Sequence, residues 1–196
     1  ARIAAANQRM DGFKRRSYNA QLLAMEEPIL FGDKSGPAVV RLTWLRSFHK
    51  PMSFRLSADI DGTSTIIVKQ LDKPLRFTRT TNKPGPIVQV TGKLDLSKEV
   101  RLGPDKTKEL LDGLRDLQVF SLPNSNFDFG LDGSRRVLEV SENGKYHVLD
   151  RRPGGEIKSQ LLPLPLHVLD HRMGGDIKSW SLSLMRASGV ELGEVY

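Results

Sequence analysis

From residue 38 onward the chain runs as short apolar alternations broken by turn residues. VVRLTWLRSFH (39–49) is rich in β-branched and aromatic residues and predicts a strand. On an extended backbone Trp44, Arg46 and Phe48 fall on one face, and Leu45, Ser47 and His49 on the other. FRLSADIDGTSTIIVKQL (54–71) holds two extended runs around Asp61-Gly62, a pair suited to a tight hairpin because both residues tolerate positive φ. LRFTRTT (75–81) and PIVQVTGKLDL (86–96) read as further strands, separated by Pro84 and Pro86, which forbid continuous pairing. RRVLEVSENGKYHVLDR (135–151) predicts a hairpin turning on Asn143-Gly144, the strongest short turn signal in the chain.

Helical spacing occurs in two places. Pro104 and Asp105 suit a first turn, and Leu110, Leu111, Leu114 and Leu117 then recur at helical intervals, predicting a helix over 104–117. DIKSWSLSLMRAS (176–188) has no proline and puts Ile177, Trp180 and Leu184 on one face, predicting a closing helix. Residues 1–37 lack sustained periodicity apart from a short helix around Tyr18–Met25, and end in a run of breakers at 32–37. The expected architecture is a single α+β domain over 38–196, a mostly antiparallel sheet covered by two helices, preceded by an extended or partly helical arm over 1–37.

One segment is written twice. HVLDRRPGGEIKS (147–159) returns as HVLDHRMGGDIKS (167–179), an offset of 20 residues with changes only at Arg151/His171, Pro153/Met173 and Glu156/Asp176. Beyond the copies, Leu162 and Leu164 match Leu182 and Leu184, whereas Pro163 and Pro165 stand opposite Ser183 and Met185. An interior proline costs a helix roughly 3 kcal/mol or more, so the copies are expected to differ in fate. The first supplies a hairpin strand and the second the terminal helix, with 151–175 inserted between them as a proline-bearing connection. The alternative is a metal site using His147, Asp150, His167, Asp170 and His171. Val168-Leu169 between Pro165 and Gly174-Gly175 favours an extended backbone, which would hold His167 and His171 about 13 Å apart at ~3.3 Å per residue, too far for one ion.

Charge changes the picture of the arm. The net charge is +7, and Arg2, Arg9, Lys14, Arg15 and Arg16 against Asp11 place +4 of it in the first 25 residues. Such an arm suits an acidic partner, a lipid surface or nucleic acid, or is simply solvated. With 38% hydrophobic residues the chain can bury one ordinary core. Its longest apolar stretch, LLPLPL (161–166), is too short and too proline-rich to span a bilayer. The absence of cysteine excludes disulfides, thiolate metal sites and a cysteine nucleophile. Ala1 in place of methionine is expected to reflect processing or trimming, including removal of a signal peptide.

Signatures of catalysis are sparse. Asn126 to Gly133 has the Asp/Gly density of a calcium loop, but the twelfth position is Val137 where a bidentate Glu is needed. Serines and four histidines leave a hydrolase using His49 or His147 open, without a Gly-x-Ser-x-Gly elbow to support it. Gly154-Gly155 and Gly174-Gly175 lack the third glycine and the lysine of nucleotide-binding loops. Lys69, Lys73, Arg76, Arg79 and Lys83 around Phe77 suggest a sheet face for single-stranded nucleic acid, or a solvated face. Arg46 is expected to pair with an acid such as Asp150, within a structural polar cluster of Trp44, Arg46, His49, Tyr146, His147 and Asp150.

Three segments carry a resemblance: Trp44-Leu-Arg-Ser-Phe-His-Lys-Pro51, Leu131-Asp-Gly-Ser-Arg-Arg-Val-Leu-Glu139 and Gly144-Lys-Tyr-His-Val-Leu-Asp-Arg151. They resemble the motifs W-L-R-x-F-H-x-P, L-D-G-x-x-W-x-L-E and G-x-Y-H-x-V-D-R of an uncharacterised family of bacterial proteins, many of them predicted to be exported or lipid-anchored. Arg136 stands where that family has tryptophan, and the repeat is inserted before the terminal helix. The resemblance implies a fold unit over 40–188 and an extracytoplasmic, periplasmic location, and no reaction. The expectation from all of this is a non-enzymatic accessory or binding subunit of a larger bacterial protein assembly, at a membrane surface in one version. The arm and the inserted segment, including Pro163 and Pro165, would make the contacts. A nucleic-acid-binding protein is the alternative, then a hydrolase. No cofactor, metal or small-molecule substrate is implied, and the arm is expected to be removable without loss of the core's stability.

Overall fold

The computed structural model describes residues 15–32, 37–46, 49–74, 76–78, 87–89, 92–123, 134–151 and 166–191. Helix α1 covers 15–24. Strands β1 (Ala38–Arg46), β2 (Met52–Ala58) and β3 (Ser64–Leu71) follow, then the short strands β4 (Arg76–Thr78) and β5 (Ile87–Gln89), then β6 (Leu94–Leu102). Helix α2 (Pro104–Asp116) and a 3-10 turn (Val119–Ser121) lead to β7 (Ser134–Glu142), β8 (Lys145–Arg151) and α3 (Leu166–Ala187). Six strands form one sheet in the order β6-β3-β2-β1-β7-β8, antiparallel at every pairing, and β4 pairs with β5 in a separate ribbon. The architecture is α+β.

The strand alternation decides which side chains meet the helices. Val40, Leu42 and Trp44 of β1, Met52, Phe54 and Leu56 of β2, Ile66 and Val68 of β3, and Leu138 and Val140 of β7 form one core with Leu110 and Leu114 of α2 and Ile177, Trp180 and Leu184 of α3. Pro104 begins α2 as expected, and Asp105 lies in its first turn. Gly113 lets the indole of Trp180 come close, because a Cβ there would lie 3.3 Å from Trp180 Cδ1. The Trp180 Nε1–H donates to the Leu110 carbonyl at 2.8 Å, so the largest buried side chain of α3 is satisfied as well as packed.

Both hairpins form at the expected places, with one difference in kind. Asn143 (φ 52) and Gly144 (φ 76) both take the left-handed region, as a two-residue turn between right-twisted strands requires. Around Asp61-Gly62 only Gly62 does so (φ 84), because Asp61 instead uses its carboxylate to accept the Thr63 N–H at 2.9 Å and the Thr63 hydroxyl at 2.6 Å. The strand expected over 86–96 is two strands. The chain breaks at Gly92, where a Cβ would meet the Lys73 carbonyl at 2.8 Å, and resumes as β6 for nine residues to Leu102.

The repeat copies differ in fate as anticipated: the first lies in β8 as far as Arg151, and the second lies within α3. The extended backbone expected at Val168-Leu169 is not found. Helix α3 starts at Leu166 and runs through Gly174-Gly175, so the 13 Å separation argued for His167 and His171 does not apply. No proline follows Pro165 in the sequence, and two glycines cost a helix only about 1 kcal/mol each.

Candidate functional site

A sheet has two faces, and α2 and α3 cover only one. On the other face β1 presents Val39, Arg41 and Thr43, which are buried although no residue of α2 or α3 lies there. Their cover is the N-terminal segment. The short helix expected around Tyr18–Met25 is α1, and it packs Ser17, Gln21 and Met25 inward at intervals of four, with Arg15, Asn19 and Leu23 outward. Its last turn closes with Glu26 in the left-handed region (φ 55), the Glu26 N–H donating to the Leu23 carbonyl and the Glu27 N–H to the Leu22 carbonyl. This is the Schellman arrangement with Glu in the place usually taken by glycine. It reverses the chain, so Glu27 reaches β1, β2 and β3, the Pro28 carbonyl returns over Arg41, and Phe31 meets the Tyr146 ring edge-on at 5.4 Å on β8.

What fastens this layer is charge. Arg41 and Glu139 are directly paired across β1 and β7, and the Arg41 Nε–H donates to Glu139 Oε2 at 2.6 Å. Glu139 also accepts the Tyr18 hydroxyl at 2.5 Å and, on its other oxygen, the Tyr146 hydroxyl at 2.6 Å. The Arg41 Nη1 donates to the Pro28 carbonyl at 2.6 Å and lies 3.4 Å from Glu27 Oε2. Glu27 in turn accepts from Arg55 Nε at 3.1 Å and the Ser53 hydroxyl at 3.2 Å, with Lys69 Nζ at 3.9 Å. Side-chain exposure is 1% for Arg41, 0% for Glu27 and 4% for Glu139, so the cluster is dry and its charges must satisfy one another.

Burial, then the neighbouring Glu139 charge, pushes the Tyr18 phenol well above its ordinary 10.0. Burial, then the hydrogen bond to Glu139, pushes Tyr146 up in the same way. A group whose folded pKa is raised contributes stability that is fully present below the unfolded value and is lost as pH rises through the folded one. Ultraviolet titration is therefore expected to show Tyr18 and Tyr146 still protonated above pH 10.0 and ionising only as the chain unfolds. Ionisation of both near 10.0 in the folded chain contradicts this.

The outer side of the same layer is unlike its inner side. Leu23 is 78% exposed, Ile29 83% and Phe31 74%, three of the five large apolar side chains exposed among the described residues. Arg15 and Arg16 are exposed on α1, whereas Arg2, Arg9 and Lys14 lie outside the described residues, as do Pro163, Pro165 and most of the inserted segment. Residues 15–32 are thus a layer of the fold, which corrects the expectation of an arm separable up to residue 37. An expected arm became a layer because Tyr18 and Glu27 answer charges set in β1 and β7.

The polar cluster expected around Trp44 is not one cluster. Tyr146 and Asp150 face the N-terminal layer, and His147 faces the opposite side, where its Nε2 lies 2.9 Å from the Leu122 carbonyl. Asp150 pairs with Arg135, at 2.7 and 2.8 Å, and not with Arg46, because Arg135 and Asp150 share a sheet face. Arg46 stacks at 4.3 Å from the Trp44 ring centre and donates to the Lys50 carbonyl at 3.1 Å, while His49 is exposed. Lys69 of the supposed nucleic-acid face is turned inward and donates to the Glu26 carbonyl at 2.8 Å. The calcium-like stretch 126–133 lies outside the described residues.

A depression of about 250 Å³ beside α2 is lined by Leu114, Arg115, Gln118, Val119, Phe120, Ser121 and Glu142, and its charged groups, Arg115 and Glu142, are paired at 2.8 Å. Among the described residues, no group of His, Asp or Glu is gathered to hold a metal, and no helix is long and apolar enough to cross a membrane. No protein-family model and no curated protein matches the chain.

Proposed function

We propose that the protein is a non-enzymatic accessory subunit of a larger bacterial assembly, which it joins through the outer side of its N-terminal layer. One observation carries the reading: Leu23, Ile29 and Phe31 are held outward by a segment whose inner side is pinned by buried charge. A fold that spends Met25 and Leu30 on its core while leaving these three in water has a surface suited to being covered. Pinning supports this further, since a preorganised surface loses little conformational entropy on docking. The bacterial and extracytoplasmic setting rests on the motif resemblance. The nucleic-acid alternative has less support, because Lys69 is taken up by the layer and cannot serve an open basic face.

The test is sedimentation of the full chain from a nuclease-treated cell extract. The native chain is expected in the large-assembly fraction, and Leu23→Asp/Ile29→Asp/Phe31→Asp in the free fraction with its thermal unfolding unchanged. A native chain that is free, or freed by nuclease, overturns the proposal.

A further inference from the structure

We infer that the surface met by the N-terminal layer is an anionic lipid bilayer, which Leu23, Ile29 and Phe31 enter while Arg15 and Arg16 lie at the headgroups. This rests on the docking reading above and names the partner. Residues 15–32 cross the sheet once as α1, from Tyr18 over β1 and β7 to Glu26 beside Lys69 of β3, and return over β1 to Phe31 on β8. A single layer pressed on a sheet has one outer side. Leu23 from the outgoing leg and Ile29 and Phe31 from the return leg are therefore presented in the same general direction.

Charge complementarity selects the occupant. Of the acids in 15–32, Glu27 is buried against Arg41 and Arg55, leaving Glu26 as the exposed one, against Arg15 and Arg16. The sequence just before the layer adds Arg2, Arg9 and Lys14 against Asp11. A basic surface beside a few outward apolar side chains is the pairing that peripheral membrane attachment needs, because modest insertion and headgroup attraction are each marginal alone. A protein partner fits less well: three side chains at roughly 150–250 Å² apiece fall short of the roughly 800 Å² that a stable interface covers on each partner. The described helices cannot cross the bilayer, so the chain would lie on it.

Flotation of the full chain with phosphatidylcholine vesicles, with and without phosphatidylglycerol, tests this. The chain is expected to float with the anionic vesicles only, less so at high salt. Arg15→Glu/Arg16→Glu and Leu23→Asp/Ile29→Asp/Phe31→Asp are each expected to lower partitioning by about tenfold or more, with thermal unfolding unchanged because all five side chains are exposed. Equal binding to both vesicle types, or binding that survives either variant, overturns the inference. Failure to float, with sedimentation in extracts still lost in the Leu23/Ile29/Phe31 variant, overturns the lipid assignment and leaves a protein partner for the same face. Failure of both measurements removes the docking reading as well.

Discussion

Replacing Arg41 by alanine is expected to destabilise the protein by about 3–5 kcal/mol, the range for removing one partner of a buried ion pair. The physical cause lies in what remains. Glu139 would keep two phenolic donors and lose its counter-charge, Glu27 would keep Arg55 alone at short range, and the Pro28 carbonyl would lose its donor. With native domains stable by about 5–15 kcal/mol, and a chain of this size shifting its melting temperature by about 2–4 °C per kcal/mol, a fall of about 10 °C is the expected readout. Arg41→Lys is expected to recover only part of it, because one ammonium cannot serve Glu139, Glu27 and the Pro28 carbonyl together. A double-mutant cycle with Glu139→Ala checks the interpretation: the double variant should cost clearly less than the sum of the singles, since neither charge is then left alone. Additive costs would mean that the two side chains do not act as a pair.

The helix-facing half of the fold was legible because its signals are local. Alternation in 39–46 and 54–71, the Asn143-Gly144 turn and the leucine spacing of 110–117 each report on a few neighbouring residues. The charged half was not, because its signal is the coincidence of distant residues. Arg41 inside AVVRLTW and Glu139 inside VLEV are lone charges in apolar strands, which on a strand covered on both faces implies a buried pair. Pairing them needs the β1–β7 register, which joins positions 98 residues apart. Attention went to Arg46 and His49 at the frayed end of β1, whose charges mattered less than the one at its centre. The start of α3 was missed for the opposite reason: Gly174-Gly175 and Pro165 are strong local breakers, yet α3 runs through the glycines and begins just after the proline.

Two truncations separate the layer from whatever precedes it. A chain beginning at residue 15 is expected to unfold at the same temperature as the full chain, because every side chain named in the buried network is retained. A chain beginning at residue 33 is expected to lose its fold or aggregate. It discards Met25 (0% exposed) and Leu30 (1%), each comparable to a core truncation of about 2–5 kcal/mol, together with Tyr18 and Glu27. Their sum rivals the whole stability of an ordinary domain. It also bares Val39, Val137 and the Arg41–Glu139 pair on a six-stranded sheet, an apolar and charged face with no cover. The comparison is read by circular dichroism during heating and by light scattering. Should the chain from residue 33 melt cooperatively at the native temperature, the segment would be an appendage, and the rigid presentation of Leu23, Ile29 and Phe31 would lose its physical basis.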